Sequence, residues 1–346
     1  MKKIMFCGGG SAGHVMPNIA IIRELRGVFL SEYIGTGAIE KQICADEGIN
    51  FYQISAPKLI RGKIIANLSV PCRLRESIKE AEKILADEKP CLLFCKGGYA
   101  SLPPALAAKR LKIPVITHES DLTCGLANKI IARFAKVTLT SFPETAEKLA
   151  RGVYCGPPIR KQAIISSRAK AIKKYGSEAR KTIIVIGGGS GSKAINDAVR
   201  RAAPKLCTEY NIVHLCGRGN AVHTNIEGYR QIEFTEDIGE IYASADCAIS
   251  RAGSNTAFEL IINKIPTLFI PLENGASRGD QVKNALYFKE RGLCDILRES
   301  ELSPENLSKK ITELIADKNI KNNLNNYNIK CGNAQISGTI KRIALV

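Results

Sequence analysis

Short apolar runs alternate with longer stretches of helical period along the whole chain. In the first half, strand-like runs fall at 3–7, 32–34, 51–54, 92–95, 115–118 and 137–140, with helical patterns between them at 18–26, 73–87, 103–111 and 126–135. Strands that alternate with helices predict an α/β fold with a parallel, doubly wound sheet. The pattern stops at 152–160, where Gly156-Pro157-Pro158 is stiff and breaks a helix. It then restarts, with strands at 182–186, 211–215, 232–234, 247–250, 267–270 and 294–297 and helices at 194–207, 255–262, 281–291 and 305–317. Ser303 as N-cap and Pro304 at the first helical position give the last of these a strong start. Residues 334–345 read as a final helix whose packing partner periodicity does not reveal. Two domains are therefore expected, 1–157 and 158–329, with a terminal helical segment over 330–346.

Two glycine-rich turns interrupt this pattern at equivalent places. Gly8-Gly9-Gly10-Ser11-Ala12-Gly13-His14 follows the apolar run Ile4-Met5-Phe6-Cys7, and Gly187-Gly188-Gly189-Ser190-Gly191-Ser192 follows Ile183-Ile184-Val185-Ile186. Each reads as strand, tight turn and helix, a device that offers free helix N–H groups to an anion such as a phosphate. The first matches the G-x-G-x-x-G dinucleotide fingerprint, but the second strand ends Tyr33-Ile34-Gly35-Thr36, without the acid that would hold a ribose. That argues against a nicotinamide-dependent oxidoreductase.

Composition narrows the setting. The chain has 346 residues, 45% hydrophobic and 24% charged, as ordinary globular proteins do. No apolar stretch reaches the ~18 residues needed to span a bilayer. The start, Met1-Lys2-Lys3-Ile4, enters a strand at once, which is not the pattern of a signal peptide, so a cytoplasmic location is expected. The formal charge of +17 favours polyanionic partners. The excess is spread over both halves, Trp is absent and no RNA-binding signature appears, so no nucleic acid is expected. A phosphorylated ligand or an anionic membrane surface fits better. The twelve cysteines form no C-x-x-C pair and have few histidines near them, so no metal is expected and they read as reduced structural thiols.

Further motifs carry candidate chemistry. His14, at a helix N-terminus that favours its neutral form, suits either a general base or a capping and positioning role. Thr117-His118-Glu119-Ser120-Asp121 ends a strand, where open α/β sheets place ligands; acceptor binding or local structure fits better than a metal. Lys96-Gly97-Gly98-Tyr99 is a third glycine turn, lining a cleft or simply joining strand to helix. In Ser250-Arg251-Ala252-Gly253-Ser254-Asn255-Thr256-Ala257-Phe258-Glu259, Ser254 or Asn255 can cap a helix. Glu259, about one turn in, can accept two hydrogen bonds from a vicinal diol or complement the helix dipole. Asp280, Gln281 and Asn284 suit sugar hydroxyls. The basic and apolar stretch from Lys58 to Arg75 suits an anionic membrane or an ordinary amphipathic surface.

Gly8 to His14 with Pro17, Lys96 to Tyr99, His118 to Asp121, Gly156 to Arg160, Gly187 to Gly191 with Asn196, and Arg251 to Asn284 occur in order along essentially the whole chain. Each is short; together they resemble the MurG family of N-acetylglucosaminyltransferases of peptidoglycan synthesis, with its part in cell-wall biogenesis, cell shape and division. Two positions depart from the familiar pattern: Ser11-Ala12-Gly13 stands for Thr-Gly-Gly, and His118-Glu119-Ser120-Asp121 for His-Glu-Gln-Asn.

The resemblance implies a GT-B fold of two Rossmann-like domains with an interdomain cleft and a C-terminal helix returning to the first domain. It implies an inverting transferase without cofactor or metal, peripheral on the cytoplasmic face of the plasma membrane. N-acetylglucosamine would pass from UDP-N-acetylglucosamine to the C4 hydroxyl of N-acetylmuramic acid in undecaprenyl-pyrophosphoryl-MurNAc-pentapeptide. The donor would lie on the second domain: Glu259 on the ribose, Ser190 with Ser254, Asn255 and Thr256 on the uridine diphosphate, Arg160 and the backbone near Thr235 beside it, Gln281 and Asp280 on the sugar. Ser11, Ala12, Gly13 and His14, with Tyr99 and Asp121, would face the acceptor, and His14 or Glu119 would take the proton. A GT-B enzyme with another lipid acceptor, such as diacylglycerol, is the alternative, and a nucleotide-sugar sensor without turnover is a third.

Overall fold

The computed structural model describes residues 1–10, 12–58, 69–165, 167–176, 179–273 and 279–345, and the backbone alone of Ala12. The chain divides into two compact units, Met1–Ile159 with Lys330–Val346, and Arg160–Ile329.

The first unit runs β1 (Lys3–Cys7), α1 (Ala12–Leu25), β2 (Leu30–Gly35), α2 (Ala38–Asp46), β3 (Asn50–Gln53), α3 (Val70–Glu88), β4 (Leu92–Cys95), α4 (Leu102–Arg110), β5 (Val115–Glu119), α5 (Leu126–Ala132), β6 (Val137–Thr140), α6 (Pro143–Glu147) and β7 (Gly152–Tyr154). The strands pair in the order β3-β2-β1-β4-β5-β6-β7, all parallel. Cys7 lies opposite both Ile34 and Cys95. Strands buried on both faces become continuous apolar runs, which is why β1 and β4 show no alternation. On one face Val15, Ile19, Ile22 and Leu25 pack with Ile4 and Phe6, and the final helix (Asn333–Ala344) adds Ile336, Ile340 and Ala344. Each fully buried isoleucine contributes about 2 kcal/mol relative to exposure. Ile78, Ala81, Leu85, Ala105 and Ile131 cover the other face. Asn333 ties the final helix to the end of the first segment, accepting from the Ile159 amide and donating to its carbonyl, both at 2.8 Å.

The second unit runs α7 (Arg168–Tyr175), β8 (Lys181–Ile186), α8 (Lys193–Leu206), β9 (Tyr210–Leu215), β10 (Tyr229–Ile232), α9 (Ile238–Ser244), β11 (Cys247–Ser250), α10 (Ser254–Ile262), β12 (Thr267–Phe269), α11 (Asp280–Glu290), β13 (Cys294–Ile296), α12 (Pro304–Ala316) and α13 (Lys318–Asn326). Its parallel sheet has the order β10-β9-β8-β11-β12-β13. Phe258 and Phe288 meet edge to face with centroids 5.4 Å apart, joining α10 to α11.

The structure adds elements that the periodicity does not announce. The helices at 38–46, 143–147, 168–175, 238–244 and 318–326 are each shorter than three turns, too short to stand out from the longer periodic stretches. β7 lies inside the segment read only as a breaker; it is an edge strand whose Val153 and Tyr154 stay exposed. β10 spans Tyr229–Ile232 rather than 232–234, because Tyr229 pairs with Ile212 and Ile232 with Leu215. α1 starts at Ala12, six residues before its expected start, and takes Pro17 into its second turn.

Strand order reverses between β1 and β4 in the first sheet and between β8 and β11 in the second. Ligands in open α/β sheets sit at the carboxyl ends of such switch points. The glycine turns after Cys7 and Cys95, and the turns after Ile186 and Ser250, therefore occupy the binding ends of their sheets.

Candidate functional site

In the first unit, the turn after β1 and the turn after β4 interlock. Gly10 has φ of +87°, and the Tyr99 ring packs so close that a Cβ at this position would lie 2.6 Å from Tyr99 Cε1. The half-buried His14 ring stands over Gly98, its Cδ2 and Nε2 3.4 Å from where a Cβ on that glycine would be. The Gly10 amide, offered by the sequence to a pyrophosphate, instead donates to Glu40 Oε1 at 2.8 Å. Glu40 is buried against Gly9 and Gly37. An internal carboxylate thus occupies one of the amides of the first turn, which the sequence pattern did not reveal. Ser11 lies outside the described residues, Ala12 opens α1, and Gly13 is exposed beside it.

Glu119 closes β5. It is buried, and its oxygens accept from the amides of Asp121 (3.0 Å) and Gly125 (2.9 Å) and from Asn128 Nδ2 (3.0 Å). A carboxylate so engaged shapes the loop after β5. Asp121 is half-buried in that loop, and its carbonyl accepts from Thr145 Oγ1. His118 is fully buried, with Nδ1 2.8 Å from Lys96 Nζ. Burial, and then the charge of Lys96, push the His118 imidazolium well below its ordinary range. Neutral His118 accepts at Nδ1 and carries its proton on Nε2.

In the second unit, Gly191 has φ of +76°, and a Cβ on it would lie 1.9 Å from the Cys216 carbonyl oxygen. Only glycine fits there. Ser192 caps α8 by accepting from the Ile195 amide. Behind the turn, Asn196 donates to the Cys216 carbonyl (2.9 Å) and meets His214 Nε2 (2.9 Å), whose Nδ1 meets Tyr229 OH (2.8 Å). Burial lowers the His214 pKa to about 4, with a smaller push from Arg200. Ser190 is exposed on the turn, its carbonyl held by Asn220.

The turn after β11 leads straight into α10. Gly253, not Ser254 or Asn255, holds the N-cap position, without a side-chain hydrogen bond. Ser254 is the first helical residue and is buried; Asn255 and Thr256 are half-buried beside it. Glu259 lies in the second turn, 5% exposed. Arg160 forks it through Nε and Nη2, both at 3.1 Å, and Tyr242 OH donates at 2.8 Å. Burial opposes the Arg160 charge, but Glu259 and Tyr242 outweigh it and hold the guanidinium above its ordinary value. Thr235 stands in the turn before α9, accepting from the Asp237 amide at 3.1 Å.

A cavity of about 640 Å³ opens at this end of the sheet, lined among others by Gly187, Ser192, Lys193, Arg251 and Gln281. Arg251 braces its floor: it donates to Ser192 Oγ (2.8 Å) and the Ile270 carbonyl (3.0 Å), and pairs with Glu299. Gln281 accepts from the Leu272 amide at 3.0 Å, which leaves its NH₂ end to other partners; Asp280 precedes it at the start of α11. Asn284 is fully buried and donates to the Ala252 carbonyl at 3.2 Å. It props the Arg251–Gly253 turn.

The second unit therefore brings Arg160 onto Glu259, and Gln281 to the same cavity as the second glycine turn. The first brings His14 and Tyr99 onto the two glycine turns there. Tyr242, Glu40 and Glu299 were not legible, since each reaches its partner from a distant segment; Tyr242 sits on one of the short helices that periodicity missed. Of the basic stretch, 59–68 lie outside the described residues, while Lys58, Arg73 and Arg75 are exposed.

Comparison with known proteins agrees with this architecture. The glycosyltransferase family 28 N-terminal domain matches residues 4–140 and the glycosyltransferase family 28 C-terminal domain residues 182–337. A Clostridium perfringens protein is 42% identical over 340 residues, covering 96% of this chain and 95% of its own. One from Clostridium botulinum is 39% identical over 351 residues, covering 99% of both. Both are named UDP-N-acetylglucosamine--N-acetylmuramyl-(pentapeptide) pyrophosphoryl-undecaprenol N-acetylglucosamine transferase. The crystal structure of Acinetobacter baumannii MurG shares the fold with a TM-score of 0.77 at 24% identity, over 99% of this chain and 100% of that one.

Proposed function

The chain belongs to glycosyltransferase family 28, and from that premise we propose that it transfers N-acetylglucosamine from UDP-N-acetylglucosamine to the C4 hydroxyl of lipid-linked N-acetylmuramyl-pentapeptide. The observation that carries this reading is the near-full-length similarity to relatives bearing that one name. The geometry supports it in detail. In the second unit, the N-terminus of α10 has no side-chain cap, and a buried carboxylate stands one turn behind it. That element suits a diphosphate at its mouth and a ribose diol on Glu259. Arg160 forks Glu259 through two hydrogen bonds and fixes the direction of its carboxylate. Ser190, Asn255 and Thr256 stand where the rest of the nucleotide would lie, Thr235 offers its backbone, and Gln281 with Asp280 reads the sugar. The first unit takes the acceptor on Ser11, Ala12, Gly13, Tyr99 and Asp121.

The reaction is a single displacement. The acceptor oxygen attacks the anomeric carbon from the face opposite the diphosphate, and the new glycosidic C–O bond forms as the bond to UDP breaks. The electron pair leaves on the diphosphate oxygen, where the α10 amides and the second glycine turn stabilise it. His14 takes the acceptor proton. With a lipid-linked acceptor the work falls at the cytoplasmic face of the plasma membrane; among the described residues no helix is long and apolar enough to cross. Exposed Lys58, Arg73 and Arg75 suit the anionic surface there.

Radiolabelled UDP-N-acetylglucosamine, offered with the lipid-linked muramyl-pentapeptide or with diacylglycerol, tests the reading. Label is expected on the muramyl acceptor; label only on diacylglycerol, or on neither, overturns it.

A further inference from the structure

A buried lysine stands behind the turn that carries His14. Lys96 is 2% exposed at the end of β4, yet an unpaired ammonium is costly in such a place. Its Nζ donates to His118 Nδ1 at 2.8 Å and to Ser120 Oγ. Both acceptors lie at the end of β5, so the side chain bridges two adjacent strands at the binding edge of the sheet. Directly after it come Gly97, whose carbonyl accepts from Ser101 Oγ at 2.7 Å, and Gly98, against which the His14 ring rests. Gly98 also presses on the Gly9 carbonyl, 2.9 Å from where its Cβ would be. A change at Lys96 therefore reaches both glycine turns through one residue of backbone.

We propose that Lys96 is a positioning residue for glycosyl transfer, its buried ammonium holding the Gly97-Gly98 turn on His118 and Ser120 so that His14 is set for the acceptor. The inference rests on the transferase reading for its kinetic consequence, but not for its structural one. Burial lowers the Lys96 pKa to about 8, against the opposing charges of Glu119 and Asp121 and of Cys155 at the end of β7. Neutral His118 and Ser120 contribute dipoles without charge. When Lys96 loses its proton the bridge keeps its atoms and loses its charge assistance, which about halves the strength of such bonds.

Three forms of the full-length protein separate this role from plain packing: wild type, Lys96→Met, which keeps the stem, and Lys96→Arg, which keeps the charge at alkaline pH. With lipid-linked acceptor and UDP-N-acetylglucosamine, Lys96→Met is expected to lower kcat by about tenfold, short of the ~100-fold of a group that itself moves the proton. KM for the donor should stay within about twofold, since the donor residues lie on the other unit. Wild-type kcat should fall above pH about 8, and Lys96→Arg should recover most of the activity and lose that alkaline limb. Ring resonances of the four histidines give a readout that needs no turnover. His14 and His118 should shift in Lys96→Met and stay in place in Lys129→Met, a change at an exposed position of α5. Unchanged His14 resonances, or an alkaline limb that survives in Lys96→Arg, overturn the proposal. Wild type that fails to transfer at all overturns the transferase reading instead, and the ring resonances still decide the role of Lys96.

Discussion

Glu259 accepts two bonds from Arg160 and one from Tyr242 while almost wholly buried, so the guanidinium and the carboxylate form a buried ion pair. Removing one partner of a buried pair costs about 3–5 kcal/mol, because the other charge is stranded. Arg160→Ala should therefore unfold at clearly lower denaturant as well as bind UDP-N-acetylglucosamine poorly. A stability equal to wild type in denaturant titration would show that the pair is not what orders this corner. His14→Ala is expected to lose kcat by about 100-fold with donor affinity unchanged by calorimetry; equal losses in both would make it a positioning group. His214 sets a third expectation. Its folded pKa of about 4 lies below the ordinary 6.5, so the folded state resists the proton that the unfolded chain accepts. This contribution to stability is complete above pH 6.5 and declines as pH falls from there to about 4. The full difference amounts to about 3 kcal/mol. Thermal melts of wild type should fall over that range more steeply than those of His214→Gln; parallel curves would contradict the assignment.

Elements carry the site because parallel strands end where the turns begin. The runs at 3–7, 92–95, 137–140 and 247–250 coincide with observed strands to the residue; β4, Leu92-Leu93-Phe94-Cys95, shows how a strand buried on both faces is written as an unbroken apolar run. The place of Glu259 on α10 was legible because a strand, a short turn and a helix start precede it; Gln281 lies in the first turn of α11. Glu40, Tyr242 and the buried setting of Lys96 were not, because their partners are set by tertiary packing and leave no local spacing to read. Asn284 and Glu119, polar residues near a binding edge, hold backbone groups through hydrogen bonds that the sequence pattern did not announce. The second glycine turn offers a direct test at this scale. Gly191→Ala forces a Cβ onto the Cys216 carbonyl at a positive φ, two costs that together exceed about 1 kcal/mol. The variant should lose donor affinity before it loses the fold, seen as a raised KM for UDP-N-acetylglucosamine; an unchanged KM would mean that the turn does not receive the nucleotide.

As a molecule, the protein repeats one parallel-sheet design, and the two copies differ at their glycine turns. In the first sheet the glycine turn is partly filled by Glu40 and presents His14; in the second the turn opens beside a cavity with Gln281, next to a helix that carries Glu259. The net charge of +17 suits a protein that meets anionic lipid and diphosphates. Replacing Lys58, Arg73 and Arg75 together by Glu should weaken sedimentation with anionic vesicles and leave binding to neutral ones unchanged; equal sedimentation would remove that surface from the account. The central claim is a single displacement onto one hydroxyl, and the product reports it directly. Nuclear magnetic resonance of the disaccharide released from the lipid-linked product should give a β linkage from the α-configured donor sugar, joined at C4 of N-acetylmuramic acid. An α linkage, or attachment at any other position, would contradict it.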